Sequence, residues 1–182
     1  MKLILFQLIT KTIEDSHINF VSNISNIAQG PALEIALSCK KIIANNKTIF
    51  KFEEVDNGLM PFFGSIQRLL RLIGYKNVLD TLLNKKYIDY ESAKSFKVVN
   101  TNISDIIKVN QKKNFWDQSF TNTFIFYNSK IHSKTKNKLP AYNAVLSCIF
   151  EGAVCGYEAA LSIERKWLQW LLKQENTIKK LN

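Results

Sequence analysis

No run of apolar residues in this chain reaches the roughly twenty that a membrane-crossing helix needs, so no membrane span is expected. Cysteine is scarce. Cys39, Cys148 and Cys155 show neither metal-ligand nor redox spacing. An odd number in apolar surroundings argues against a disulfide framework and reads as reduced thiols, which places the protein in the cytoplasm. Histidine is scarcer still. His17 and His132 stand alone with no Cys/His set around either, so no metal site is expected. Gly-x-Gly-x-x-Gly does not occur, which leaves no dinucleotide fingerprint. No small-residue cleavage site follows the apolar opening Met1 to Thr10, so that run is not read as a signal peptide.

What is present suits a packed domain. Hydrophobic residues make up 46% of the 182 and aromatics 12%, ample for a core and too much for a disordered chain. The length fits one domain, or one domain and an appendage. The net charge is +10. A basic surface attracts nucleic acid, anionic lipid or an anionic ligand. The lysines are scattered, not gathered on a stripe, and no nucleic-acid-binding motif occurs, so no nucleic acid is expected as a partner.

Periodicity gives a coarse map. Leu5, Leu8, Ile9 and Ile13 have helical spacing over residues 3–15. Residues 18–28 read as a loop feeding a short strand. Gly30-Pro31 opens a helix predicted over 32–41, because proline suits a first helical position. Residues 42–44 and 48–52 read as strands around the polar turn at 45–47. A loop follows over 53–59. A helix over 63–73 stops at Gly74, and a second covers 77–83. Asp89 caps a helix over 90–96, and Val98-Val99 begins a final strand. Residues 101–138 turn rich in Asn, Lys and Ser, with aromatics from Phe120 to Tyr127. A helical pattern resumes over 140–178. Strands alternating with helices indicate an α/β fold. A boundary is placed near 105.

Two segments carry the chemistry. One is Gly30-Pro31-Ala32-Leu33-Glu34-Ile35-Ala36-Leu37-Ser38-Cys39. The other runs from Glu53-Glu54-Val55-Asp56-Asn57-Gly58 through Pro61 and Gly64 to Gln67-Arg68-Leu69. Together they resemble the crotonase superfamily signature. A glycine turn enters a helix bearing one glutamate, and a second glutamate sits twenty residues on, before Gly-x-x-Pro-x-x-Gly-x-x-Gln-Arg-Leu. Glu34 and Glu54 match both positions. Residues 87–100 are similar to the family's closing helix and strand. Leu139-Pro140-Ala141, Leu146 to Gly152 and Ala160 to Arg165 resemble the segment that follows the hydratase in multifunctional fatty-acid β-oxidation proteins and leads there into a 3-hydroxyacyl-CoA dehydrogenase.

The resemblance implies a partial crotonase-like β/α spiral with a C-terminal α-helical extension. Residues 1–105 would form the C-terminal part of a hydratase domain, and 106–182 a linker and helical extension, the module being truncated at both ends. It implies an enoyl-CoA hydratase of lipid metabolism, with Glu34 and Glu54 as the catalytic acid/base pair and Gly30 and Pro31 at the substrate-binding oxyanion position. The substrate is an acyl-CoA thioester and no cofactor is expected. Arg68 is assigned to structure, paired with a helix end or a carboxylate. Several positions depart from the pattern. Pro31 replaces a glycine whose N–H would serve the oxyanion, and proline has no N–H. Phe62 and Ser65 replace glycines, Glu53 a proline and Lys40 an aspartate. Only 33 residues precede Glu34, too few for the family's N-terminal CoA-binding segment. Two expectations follow: a complementary N-terminal chain or a homo-oligomer completes the module, or the chain is a catalytically inactive remnant or a partner-dependent interaction module.

Overall fold

The computed structural model describes residues 2–100 and 115–181. The boundary expected near 105 lies outside the described residues.

Helix α1 (Lys2–Asp15) leads into β1 (Val21–Ile24) and β2 (Ile27–Gln29). Helix α2 (Gly30–Ala36) crosses back to β3 (Lys41–Ala44) and β4 (Ile49–Lys51). β1 runs parallel to β3 from Val21 opposite Lys41, and β2 runs parallel to β4 from Ile27 opposite Ile49. The two pairs are separate sheets that follow one another as a bent ribbon. Its corner is pinned where Thr48 donates to the Ile24 carbonyl (2.9 Å) and Ile49 N–H to Asn26 (3.0 Å). A short β5 (Ile88–Asp89) joins β4 antiparallel and opens α4 (Tyr90–Ser95). Asp89 caps α4 through Ser92 N–H, as its position predicts. The ribbon's inner face buries Ile42, Ala28 and Phe50, while Val21, Ile27 and Ile43 point outward and exposed.

Helix α3 (Ser65–Leu83) crosses the core, broken at Gly74, where φ is 80. That is the break expected from the sequence, and only glycine adopts such a conformation cheaply. α5 (Gln118–Thr135), α6 (Pro140–Ala153), α7 (Tyr157–Leu171) and α8 (Glu175–Leu181) complete the described chain. The C-terminal helices share the core of the first hundred residues. Leu33, Ile66, Leu70, Val145, Ile149 and Leu168 belong to one buried cluster.

Three expectations need correction. The helix from Gly30 ends at Ala36, not Lys41. The Ser38 hydroxyl takes the Ile35 carbonyl (2.6 Å), competing with the helical bond due there, and Lys40 N–H already pairs with Phe20 in front of β3. Val98 and Val99 form no strand, because both their N–H groups turn back to the Ala93 carbonyl. Instead Asn100 meets Ile42, donating its N–H at 2.9 Å and accepting on Oδ1 at 2.7 Å. Residues 118–135, read as a polar stretch, are helical. Asp117 caps them through Phe120 N–H (2.6 Å), and their narrow apolar face of Phe120, Tyr127 and Ile131 is diluted by polar neighbours. The helical pattern expected over 140–178 is present as three helices, α6, α7 and α8.

Candidate functional site

The site begins at the entrance to α2. Gly30 has φ 58, left-handed backbone that glycine tolerates and side chains resist. Pro31 occupies the first helical turn, where its missing N–H costs the helix nothing. Pro31 itself is exposed. One turn on, the inward face of α2 is Leu33, Glu34 and Ala36.

Glu34 is fully buried. Its Oε2 accepts from Phe63 N–H at 2.8 Å and Phe62 N–H at 3.0 Å, and Oε1 receives only the longer 3.3 Å contact from Phe62. Burial pushes its carboxyl up to about 8, against the Ser65 hydroxyl, with the nearby Glu164 charge adding to the rise and the Phe63 N–H opposing it.

Glu54 follows β4 in a turn. Both of its carboxylate oxygens are buried, and neither has a hydrogen-bond partner among the described residues. Burial raises its pKa as well. The carboxylate faces the α2 entrance, where a Cβ built on Gly30 would lie 3.8 Å from Glu54 Oε1. The fold thus brings Gly30, Glu34 and Glu54 into one neighbourhood, and the charge of Glu54 acts on Glu34.

Arg68 is fully buried. It donates to the Phe63 carbonyl (2.6 Å) and to Glu14 (3.2 Å), and Tyr157 also donates to Glu14 (3.0 Å). Its structural assignment therefore agrees with the geometry. No group of metal-ligating side chains occurs among the described residues.

A family model described as enoyl-CoA hydratase/isomerase matches residues 5–150. The chain belongs to the enoyl-CoA hydratase/isomerase family. A fatty acid oxidation complex subunit alpha from Shewanella sp. (strain W3-18-1) is 28% identical over 176 residues, covering 84% of this chain and 25% of the relative. The chain therefore spans about a quarter of such curated relatives. An enoyl-CoA hydratase structure from Mycobacterium avium subsp. paratuberculosis superposes with TM-score 0.62 at 16% identity, over 98% of this chain and 68% of that one. A Thermobifida fusca structure solved with acetoacetyl-CoA gives TM-score 0.50 at 15% identity, over 93% and 61%. These likenesses establish the partial crotonase-like fold with its C-terminal helices.

One member of the site escaped the sequence reading. Glu164 of α7 is fully buried, and its Oε1 accepts Gly64 N–H at 2.6 Å. The signal was there. Tyr157, Leu161, Glu164, Leu168 and Leu171 make one buried stripe along α7, and a carboxylate on such a stripe needs a partner. Burial raises Glu164 to about 7.

These two acids make stability depend on pH. Their folded pKa values lie above the ordinary 4.5, at about 8 and about 7. Below about 4.5 both states hold the protons. As pH rises, the unfolded chain releases them first, and the contribution is lost through 7 to 8. Tm measured by calorimetry is expected to fall between about pH 5 and pH 9, by the equivalent of a few kcal/mol, and Glu34→Gln should flatten the slope. A Tm that is level or rising across that range would contradict the buried-acid assignment.

Proposed function

We propose that this chain carries the acid/base half of an enoyl-CoA hydratase site, which adds water across a 2-enoyl-CoA double bond in fatty-acid β-oxidation. The supporting observation is the unpartnered, buried carboxylate of Glu54 facing Gly30, with Glu34 beside it. Desolvated oxygens without protein donors are suited to hold a water or an acidic carbon. In the reaction, one carboxylate takes a proton from water as its oxygen bonds to the β-carbon. The other carboxyl delivers a proton to the α-carbon as the enolate collapses. No cofactor enters this chemistry. Three free thiols, Cys39, Cys148 and Cys155, support a cytoplasmic setting.

The oxyanion side is incomplete within these residues, because Pro31 cannot donate. A complementary N-terminal hydratase segment, or a second copy, completes the site and covers the outward ribbon face at Val21, Ile27 and Ile43. These side chains are about half exposed, at 49%, 50% and 48%, and contiguous exposed apolar surface usually marks an interface. Pro31 also favours a second reading, a catalytically inactive remnant or a partner-dependent interaction module.

The test is to follow loss of the conjugated thioester of a short 2-enoyl-CoA, with the chain alone and with the N-terminal part of a related hydratase added. Product is expected in the second case. Pro31→Gly restores a backbone donor at a position worth on the order of 3 kcal/mol in comparable sites, so turnover should rise at least tenfold. Complex formation without product from either protein would establish the interaction-module reading.

A further inference from the structure

The turn Phe62-Phe63-Gly64 has no hydrogen-bonding capacity to spare at its N–H groups. Those of Phe62 and Phe63 go to Glu34. The N–H of Gly64 goes to Glu164, one hundred residues away along the chain. The Phe63 carbonyl is held from two more sides, by the Thr10 hydroxyl (2.5 Å) and by Arg68 (2.6 Å). Two buried carboxylates, from α2 and from α7, thus divide three consecutive N–H groups between them.

The local sequence explains why the second carboxylate comes from so far. Gly64 is the N-cap of α3 and lacks a capping side chain. A Ser or Asp cap would be the cheap solution, but two features forbid it. The φ of 91 is left-handed, and a Cβ would meet Arg68 Nη1 at 2.8 Å and Leu161 Cδ2 at 2.9 Å. Glu164 supplies the cap instead. Its Oε2 also receives Gln67 N–H (3.3 Å), and Gln7 of α1 is the carboxylate's third donor, at Oε1 (3.3 Å). Gln7 is itself held by Arg165 (2.5 Å).

Burying a carboxyl is costly, and an apolar residue on the α7 stripe would pack without that cost. What the carboxyl gains in return is a fixed position for the turn, and Glu34 takes its own orientation from that turn. We infer that Glu164 is a positioning residue for Glu34, acting through the shared Phe62–Gly64 turn. The inference deepens the hydratase reading by adding a third acid to the site's machinery, one that touches no substrate.

The test reads Glu34 directly, so that its failure and the failure of the hydratase reading can be told apart. Carboxyl ¹³C resonances of glutamate-labelled chain are followed across pH, the Glu34 signal being assigned by its loss in Glu34→Gln. Glu164→Gln keeps an acceptor for Gly64 but sets an amide donor against the Gln67 N–H. It is expected to move the Glu34 titration midpoint by about half a pH unit or more. Glu164→Asp, which keeps the charge and withdraws it by one methylene, should restore part of the shift. Gln7→Met leaves Glu164 in place without its third donor and should give a smaller displacement, which keeps the test open if Glu164→Gln folds poorly. Where turnover is measurable, kcat per folded molecule should drop roughly tenfold with KM little changed. A Glu34 titration that moves in Glu164→Gln but not in Gln7→Met would overturn the inference, because the lost Glu164 charge alone would then account for it, and a lowered Tm with an unmoved Glu34 titration in these variants would leave Glu164 as a helix cap alone. A chain without turnover would bear on the hydratase reading only, since the titration still decides this one.

Discussion

Glu54→Gln is expected to reduce hydration of a short 2-enoyl-CoA by about a hundredfold or more, the scale of a lost general acid or base. The reason lies in what surrounds the carboxylate. Neither oxygen spends itself on a protein donor among the described residues, so an amide in its place disturbs no internal bond and changes only the proton chemistry. The fold should therefore survive while the rate does not. Glu34→Gln should cost a similar factor, because its Oε1 would become an oxygen or an amide that cannot exchange a proton. Combined, the two losses should fall well short of their product, since both groups serve one step. The measurement is the initial rate per folded molecule, with the complementary segment present if the chain alone is silent. Full activity in either variant removes that residue from the chemistry.

Arg68→Met is expected to be the most destabilising single change. The guanidinium is fully buried and joins the Phe63 carbonyl to Glu14. Methionine fills much of the volume but strands Glu14, a mostly buried carboxylate whose remaining hydrogen-bond donor among the described residues is the Tyr157 hydroxyl. Removing one partner of a buried pair costs about 3–5 kcal/mol, a large share of the 5–15 kcal/mol that holds a typical domain together. Denaturant unfolding should show a much lower midpoint. Adding Glu14→Gln should recover part of the loss, because the stranded charge goes with it. A midpoint within error of the parent would mean that the pair contributes nothing net.

Much of this molecule could be read from its residues because the relevant signals are local. Gly30-Pro31 announces a helix start, Gly74 a helix break and Asp89 a cap, and each depends only on backbone freedom or on a side chain reaching its own neighbours. The pair Glu34 and Glu54 was legible as a pattern, and the structure places both near the α2 entrance. The rest was hidden for physical reasons. The end of α2 at Ala36 depends on where β3 must begin beside β1, which no local window contains. Helix α5 buries a thin stripe in a polar sequence, so its periodicity is faint. Glu164 meets its partners across a hundred residues, and only its place on an apolar stripe hinted that a partner existed.

The reach of that carboxylate bears on how the chain is made. Gln7, Gly64 and Glu164 converge on one point, so the turn that holds Glu34 cannot close on a nascent chain until synthesis has passed residue 164. Contacts of such long separation form late and set the pace of folding. Until then the Gly64 N–H and the apolar flank of α3 stay open to water and to other chains, the condition under which partly folded proteins aggregate or recruit chaperones.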